Sequence, residues 1–328
     1  MKKTWIWPVM AAGLLISACG AETSQEASEE TPESAESTEQ TETAQTAVDS
    51  EAMELEVPFE GTMDHVHGMG YIEENGGLYF ASHEGLKVYR GGEWTEIEDQ
   101  YHDFMGFNAT STGFVSSGHP DMQSGMKNPL GIKRSDDGGE TFEDLGFEGE
   151  TDFHEMAVSY NNNNLFVFNP QPNSKLAAGF HRSDDAGKTW QQTAAEGLDG
   201  KVAYLAMHPD DSMMIAAASN QGIFWSEDGG ESFSRITEDE LGTAAFFSEA
   251  ALYYGTYSED AKLVKRDLSG DEQEISLPDM TEDGVVYIAQ YPKKPEQLAI
   301  YTAKGHAWMT QDAGDNWTQM LNAGQVQQ

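Results

Sequence analysis

SDDAGKTW, residues 183 to 190, returns along the chain in close variants: SDDGGETF at 135 to 142, SEDGGESF at 226 to 233 and TQDAGDNW at 310 to 317. Every copy places a hydroxyl residue first, aspartate third, glycine fifth and an aromatic eighth. That order describes a tight turn. Aspartate accepts backbone N–H groups of the following residues, glycine supplies the positive φ that a side chain resists, and the aromatic is free to pack between neighbouring sheets. The copies begin at residues 135, 183, 226 and 310, intervals of 48, 43 and 84, and the last is twice 42, so a worn copy is expected between the third and fourth. Lys265 to Asp271 occupies that place without the aromatic. One period before Ser135 lies Tyr89-Arg-Gly-Gly-Glu-Trp94, a shortened version, which makes six units of about 45 residues.

The four full copies resemble the Asp-box, or BNR, repeat of sialidase-like and sortilin-like β-propellers, and the chain is similar to bacterial lipoproteins grouped as glycosyl-hydrolase-like. The resemblance implies that Asp137, Asp185, Asp228 and Asp312 are structural, not catalytic carboxylates or metal ligands. Within each unit, short apolar runs separated by Gly, Asn and Asp read as four strands. In the first unit they are His65 to Ile72, Leu78 to Ser82, Leu86 to Tyr89 and Trp94 to Ile97; in the fourth, Val202 to Met207, Met214 to Ala218, Ile223 to Ser226 and Phe233 to Ile236. Units that cannot bury both faces alone stack radially, so the expectation is an all-β propeller of six four-stranded blades over residues 55–328, with seven as the rival count.

A propeller sorts residues onto two ends of a disc. By resemblance, the Asp-box turns share one end with the first-to-second connections, and substrates are usually bound at the other. At that other end the entries to the first three innermost strands read His65-Val-His67-Gly-Met69, Tyr101-His-Asp103-Phe-Met105 and Asp152-Phe-His154-Glu-Met156. Strand side chains alternate, so one parity points these residues at the central channel, with Tyr204 and Tyr287 at the same level from later blades. Glu155 and His102, on the other parity, are expected to point into the blades. His83, His119, Asp121 and His306 reach the same end from second-to-third loops, whereas His181 and His208 map to the opposite end.

Imidazoles and carboxylates converging from separate strands are what a transition metal requires, because nitrogen and oxygen donors must replace its water. The candidate ligands are His65, His67, His83, His119 and His154, and the candidate metals are zinc, manganese, iron and copper. Asp103 and Asp152 are candidate catalytic carboxylates. Tyr204, Tyr287, Asp64 and Asp121 are candidate ligand-binding residues. The methionines below them read as packing. A hydrated channel whose polar residues need no ligand is the plain alternative.

The formal net charge is −39, and residues 1–54 hold eleven acidic groups and two lysines, leaving −30 on residues 55–328. Phosphate would be repelled, which excludes nucleic acid as a partner. The amino terminus is an export signal: Lys2 and Lys3, an apolar run from Trp5 to Ile16, then Ser17-Ala18-Cys19. It resembles the bacterial lipoprotein signal, which implies lipid on Cys19, attachment to the membrane's outer face, and an extracellular protein. Residues 20–54, rich in Glu, Ser and Thr, cannot bury enough apolar surface to fold and read as a disordered, self-repelling tether.

The sialidase likeness does not extend to activity. Sialidases grip a carboxylate with three arginines, and here Arg90, Arg134, Arg182 and Arg266 end third strands while Arg235 lies in a fourth. Three readings stay open: a binding propeller with a His/Asp metal centre, a glycosidase-like or metal-assisted hydrolase working from the same face, and a structural platform for a glycan or protein ligand. The loop Met122 to Pro129 is placed to overhang the mouth.

Overall fold

A computed structural model describes residues 55 to 327, so the leader, Cys19 and the acidic tether lie outside the described residues. Six antiparallel sheets follow one another along the chain, which settles the blade count at six. The innermost strands are Val66–Tyr71, Asp103–Ala109, Met156–Val158, Val202–Met207, Leu241–Phe247 and Val285–Tyr291, in blades one to six. Each packs beside the next, and that of blade six returns to that of blade one, closing the ring.

Two short strands were not foreseen. Glu56–Pro58 pairs on the outer edge of blade one, and Gln325–Val326 does so on blade six. They cover two sheet edges that would otherwise present unpaired N–H and C=O groups. The ends also meet: Met63 N–H donates to Gly324 C=O at 2.8 Å, and Thr62 forms an isolated bridge with Gln325.

The apolar interior divides into six layers, one for each gap between blades. Alternation within a strand feeds both neighbours: Leu78 and Phe80 of blade one pack toward blade six, whereas Tyr79 and Ala81 pack toward blade two. All four are fully buried.

The repeated turns lie between third and fourth strands, and their hydrogen bonds are alike. In the copy at 183, Ser183 Oγ donates to Asp185 Oδ1 at 2.9 Å, Thr189 N–H donates to the same oxygen at 2.8 Å, and Gly187 N–H donates to Ser183 Oγ at 2.8 Å. The copies at 135, 226 and 310 repeat all three. The glycine and the aromatic serve the gap between blades. Gly230 has φ +87°, and a Cβ there would fall 2.4 Å from the ring of Phe166 in the preceding blade. Phe233 packs on that same ring, and Trp317 Nε1 donates to Ser276 C=O of blade five. In the worn copy, Asp267 closes a smaller turn by accepting the N–H groups of Ser269, Gly270 and Asp271.

Gly230→Ala should lower stability by about 1–3 kcal/mol, the range for overpacking a close contact, read as a lower thermal midpoint with the secondary structure unchanged. Hydrogen bonds from Thr189, Ser232 and Asn316 hold Asp185, Asp228 and Asp312 below the ordinary 3.8. A carboxylate whose folded value lies below its unfolded value stabilises the fold above that pH range and ceases to as acid protonates it. Asp228→Ala should therefore lower the urea midpoint at neutral pH and flatten its fall between about pH 4 and pH 2.

Candidate functional site

At the end of the disc away from the repeated turns, the inner-strand entries and second-strand ends of blades one to three bring His67, His83, Asp103, His119, Asp152 and His154 to the channel mouth. The backbones approach closely because blade one carries glycine where blade two comes nearest: a Cβ on Gly68 would fall 2.6 Å from Phe107 Cβ. His67 sits in a β-bulge, where the pairing with the second strand slips between Val66 and Gly68. A bulged residue leaves the ladder and its side chain is re-aimed, here toward the mouth.

Two groups form. In the first, His67 Nε2 lies 3.1 Å from His83 Nε2, and His83 Nδ1 lies 3.2 Å from Asp103 Oδ2. Asp103 Oδ1 is 3.8 Å from His67 Nε2 and is buried without a hydrogen-bond partner. One donor atom from each of the three residues falls within 4.8 Å of the others. His65, held at φ +36°, stacks on His67 at 6.2 Å between ring centres and meets His83 edge-on at 5.4 Å. In the second group, Asp152 Oδ2 lies 3.1 Å from His154 Nδ1 and 3.4 Å from His119 Nε2. Asn128 Oδ1, from the 122–129 loop, lies 2.7 Å from His119 Nδ1.

The two groups repeat one device a blade apart. A histidine at the end of the second strand of one blade faces the aspartate that enters the next: His83, just past that strand, faces Asp103, and His119, its last residue, faces Asp152. Asp103 and His119 are themselves cross-strand partners in blade two, so the six residues form a continuous arc.

Electrostatics follow the burial. Desolvation pushes His67 below the ordinary 6.5, His83 adds to this, and Asp103 opposes it. Burial likewise raises Asp152 above 3.8, against His154 and His119, with the charge of Asp103 adding to the rise.

Below the mouth runs a channel of ≈ 510 Å³, whose lining includes His67, His154, Met69, Met105 and Met156. The three methionines are also buried among blade side chains, as packing residues are. Tyr204 and Tyr287 meet across blade five with ring centres 5.2 Å apart, where that blade offers only Thr243, Ala244 and Ala245 at its inner strand. The five arginines pair with Glu56, Asp136, Asp184, Asp239 and Glu272 on the blades, and none lines the channel.

One residue expected in a blade lines the channel, and several candidates stand off it. Regular pairing in blade three begins only at Met156, and the chain bends at His154 and Glu155, so Glu155 lines the channel instead of entering the blade. Asp121 caps its own loop through Gln123 N–H, and its N–H donates to His102 Nδ1, which keeps it off the channel wall. Asp64 is exposed, its charge acting on Tyr301, and it does not line the channel either. Tyr101 is 40% exposed. His306 accepts Ala323 N–H within its own blade. His102 is buried in its blade, as its parity predicts, and His181 and His208 are buried away from the channel. Asn128 was missed as a contributor, because nothing in a Gly- and Ser-containing loop says which residue folds back on His119.

No protein-family model matches the chain, and no curated protein matches it. Solved structures do match. A GH74 xyloglucanase from Xanthomonas campestris superposes with a TM-score of 0.52 at 19% identity over 81% of this chain and 46% of the enzyme. The tricorn protease gives 0.54 at 12% identity over 83% and 27%. The extracellular domain of a one-component system from B. thetaiotaomicron gives 0.50 at 13% over 81% and 34%. The chain spans less than half the length of each of these proteins. At such identities the likeness is one of fold, and it is to β-propellers.

In the metal-free chain, nitrogen-detected NMR should find neutral His83 protonated on Nδ1, the nitrogen that must donate to Asp103. Asp103→Ala should release that preference, and an unchanged tautomer would show that the contact does not orient the ring.

Proposed function

We propose that this chain is a lipid-anchored extracellular propeller that binds a transition metal ion at its channel mouth through His67, His83 and Asp103. The observation that carries the proposal is the first triad: two imidazole nitrogens 3.1 Å apart, with an aspartate close to both rings. If His83 donates from Nδ1 to Asp103, its Nε2 keeps a lone pair facing His67 Nε2, and with His67 protonated on Nδ1 an ion can accept from both nitrogens in place of the hydrogen bond between them. Asp103 then orients one ligand, as carboxylates behind metal-bound histidines do, and its unpartnered Oδ1 is near enough to become a third donor. Two nitrogens and one oxygen are a donor set for borderline divalent ions such as zinc, manganese, iron or copper. Anchoring through Cys19 and the spacing role of the acidic tether rest on the sequence pattern of residues 1–54.

Metal content of the full chain, purified without a histidine tag, tests this directly. After reloading with zinc, His67→Ala and His83→Ala should each abolish the ion bound at this triad, and Asp103→Asn should weaken it about 10–100-fold. Less than a tenth of an equivalent in the unaltered chain would refute the proposal.

A hydrolytic reading has one specific support: Asp103 and Asp152 face one opening, and burial raises Asp152 above the ordinary 3.8, as a general acid requires. Glycoside hydrolysis uses a pair of carboxylates, and one of the fold neighbours is a xyloglucanase. Turnover of aryl glycosides that is lost in Asp152→Asn would support it, and no turnover across a broad panel would remove it.

A further inference from the structure

The second group of the arc poses a separate problem of charge. Asn128 Oδ1 can only accept, so His119 Nδ1, 2.7 Å away, carries the donated hydrogen. A neutral His119 then turns a bare Nε2 toward Asp152 Oδ2 at 3.4 Å. Two lone pairs face each other, and such a contact is attractive only with a cation between them. Asp152 deepens the demand. Its side chain is 12% exposed, its Oδ1 is buried and without a hydrogen-bond partner, and among the described residues its only ion-pair partners are His119 and His154. No lysine or arginine pairs with it.

We infer that His119, Asp152 and His154 form a second site for a borderline divalent transition metal ion, next to the first triad. The inference rests on the preceding proposal only in taking this mouth as one that receives such ions. Asn128 is the orienting residue, holding the His119 ring with Nε2 toward the carboxylate. His154 offers Nδ1 to the same oxygen, 3.1 Å away. The two rings are exposed, 44% for His119 and 55% for His154. An incoming ion therefore has an open approach to both nitrogens. The atoms of this triad are more widely spread than those of the first, which alone among the described residues gathers three donors within 4.8 Å. The second site is therefore the weaker and more readily emptied.

The full chain, purified without a histidine tag and stripped of metal, is titrated with Co²⁺ followed by its visible absorption, with Zn²⁺ as competitor. Two equivalents are expected, one tighter than the other. His119→Ala and His154→Ala should each remove the weaker equivalent and leave the tighter one, and His83→Ala should do the reverse. Asn128→Ala, which touches only the orientation of His119, should weaken the second equivalent about 10–100-fold with the first unchanged; it also serves if a histidine variant fails to fold. A single equivalent lost in His83→Ala and kept in His119→Ala would overturn this inference, leaving a proton to fill the His119 to Asp152 contact. So would two equivalents that both survive His119→Ala. A single equivalent lost in His119→Ala and kept in His83→Ala would instead refute the first triad and sustain the second. No bound ion refutes both.

Discussion

Burial between neighbouring blades is the constraint on which this molecule depends. Each sheet has two apolar faces, and among the described residues there is no helix to cover either. A sheet can hide both faces only against other sheets, so the arrangement is stable when the last blade meets the first. The six apolar layers are the consequence, and none of them belongs to a single blade. The repeated turn is best understood as part of this packing. Its hydrogen bonds shape the loop, but its glycine and aromatic are spent on the gap to the preceding blade.

An inner strand gripped on both sides has little freedom except at its ends and at its bulges. Polar chemistry collects there. His67 occupies such a bulge, and Asp103 begins the inner strand of blade two. The ring is chemically lopsided as a result. Blades one to three supply imidazoles and carboxylates, while blades four and six supply the Tyr204 and Tyr287 pair, whose ionisation burial pushes upward. Anything entering the channel from this end meets a charged arc on one side and phenols on the other.

The fold was legible because its signal is periodic and local. Four copies of one turn fixed the unit length, and the physics of that turn requires no knowledge of distant residues. The mouth was legible in outline only. Period-two alternation placed His67, Asp103 and His154 at one end, but it fails wherever pairing is irregular, which is why Glu155 was assigned to the blade although it lines the channel. It also could not divide the arc. The pairing of His83 with Asp103 and of His119 with Asp152 joins the second-strand end of one blade to the entry of the next, and such a contact depends on how blades are rotated about the axis. Asp121 shows the same limit, since a loop aspartate is as ready to cap its own turn as to face a ligand.

The distribution of cations sharpens the case for the arc. This chain places buried lysines where it wants carboxylates neutralised: Lys87 against Glu96 at 2.6 Å, and Lys133 against Glu148 at 2.6 Å, in corresponding third strands. At the mouth it does not. Asp103 and Asp152 are largely buried and close enough for one charge to act on the other, and among the described residues their ion-pair partners are imidazoles alone. Withdrawing two like charges from water without a fixed counter-charge is unfavourable. An imidazole differs from a lysine in that it can leave its lone pair to a metal, which is the role proposed for the rings here. The strongly acidic surface acts in the same direction, since the net charge of −30 on residues 55–328 raises the local concentration of cations. A lysine at the rim would neutralise either carboxylate more simply, and among the described residues neither Asp103 nor Asp152 has one.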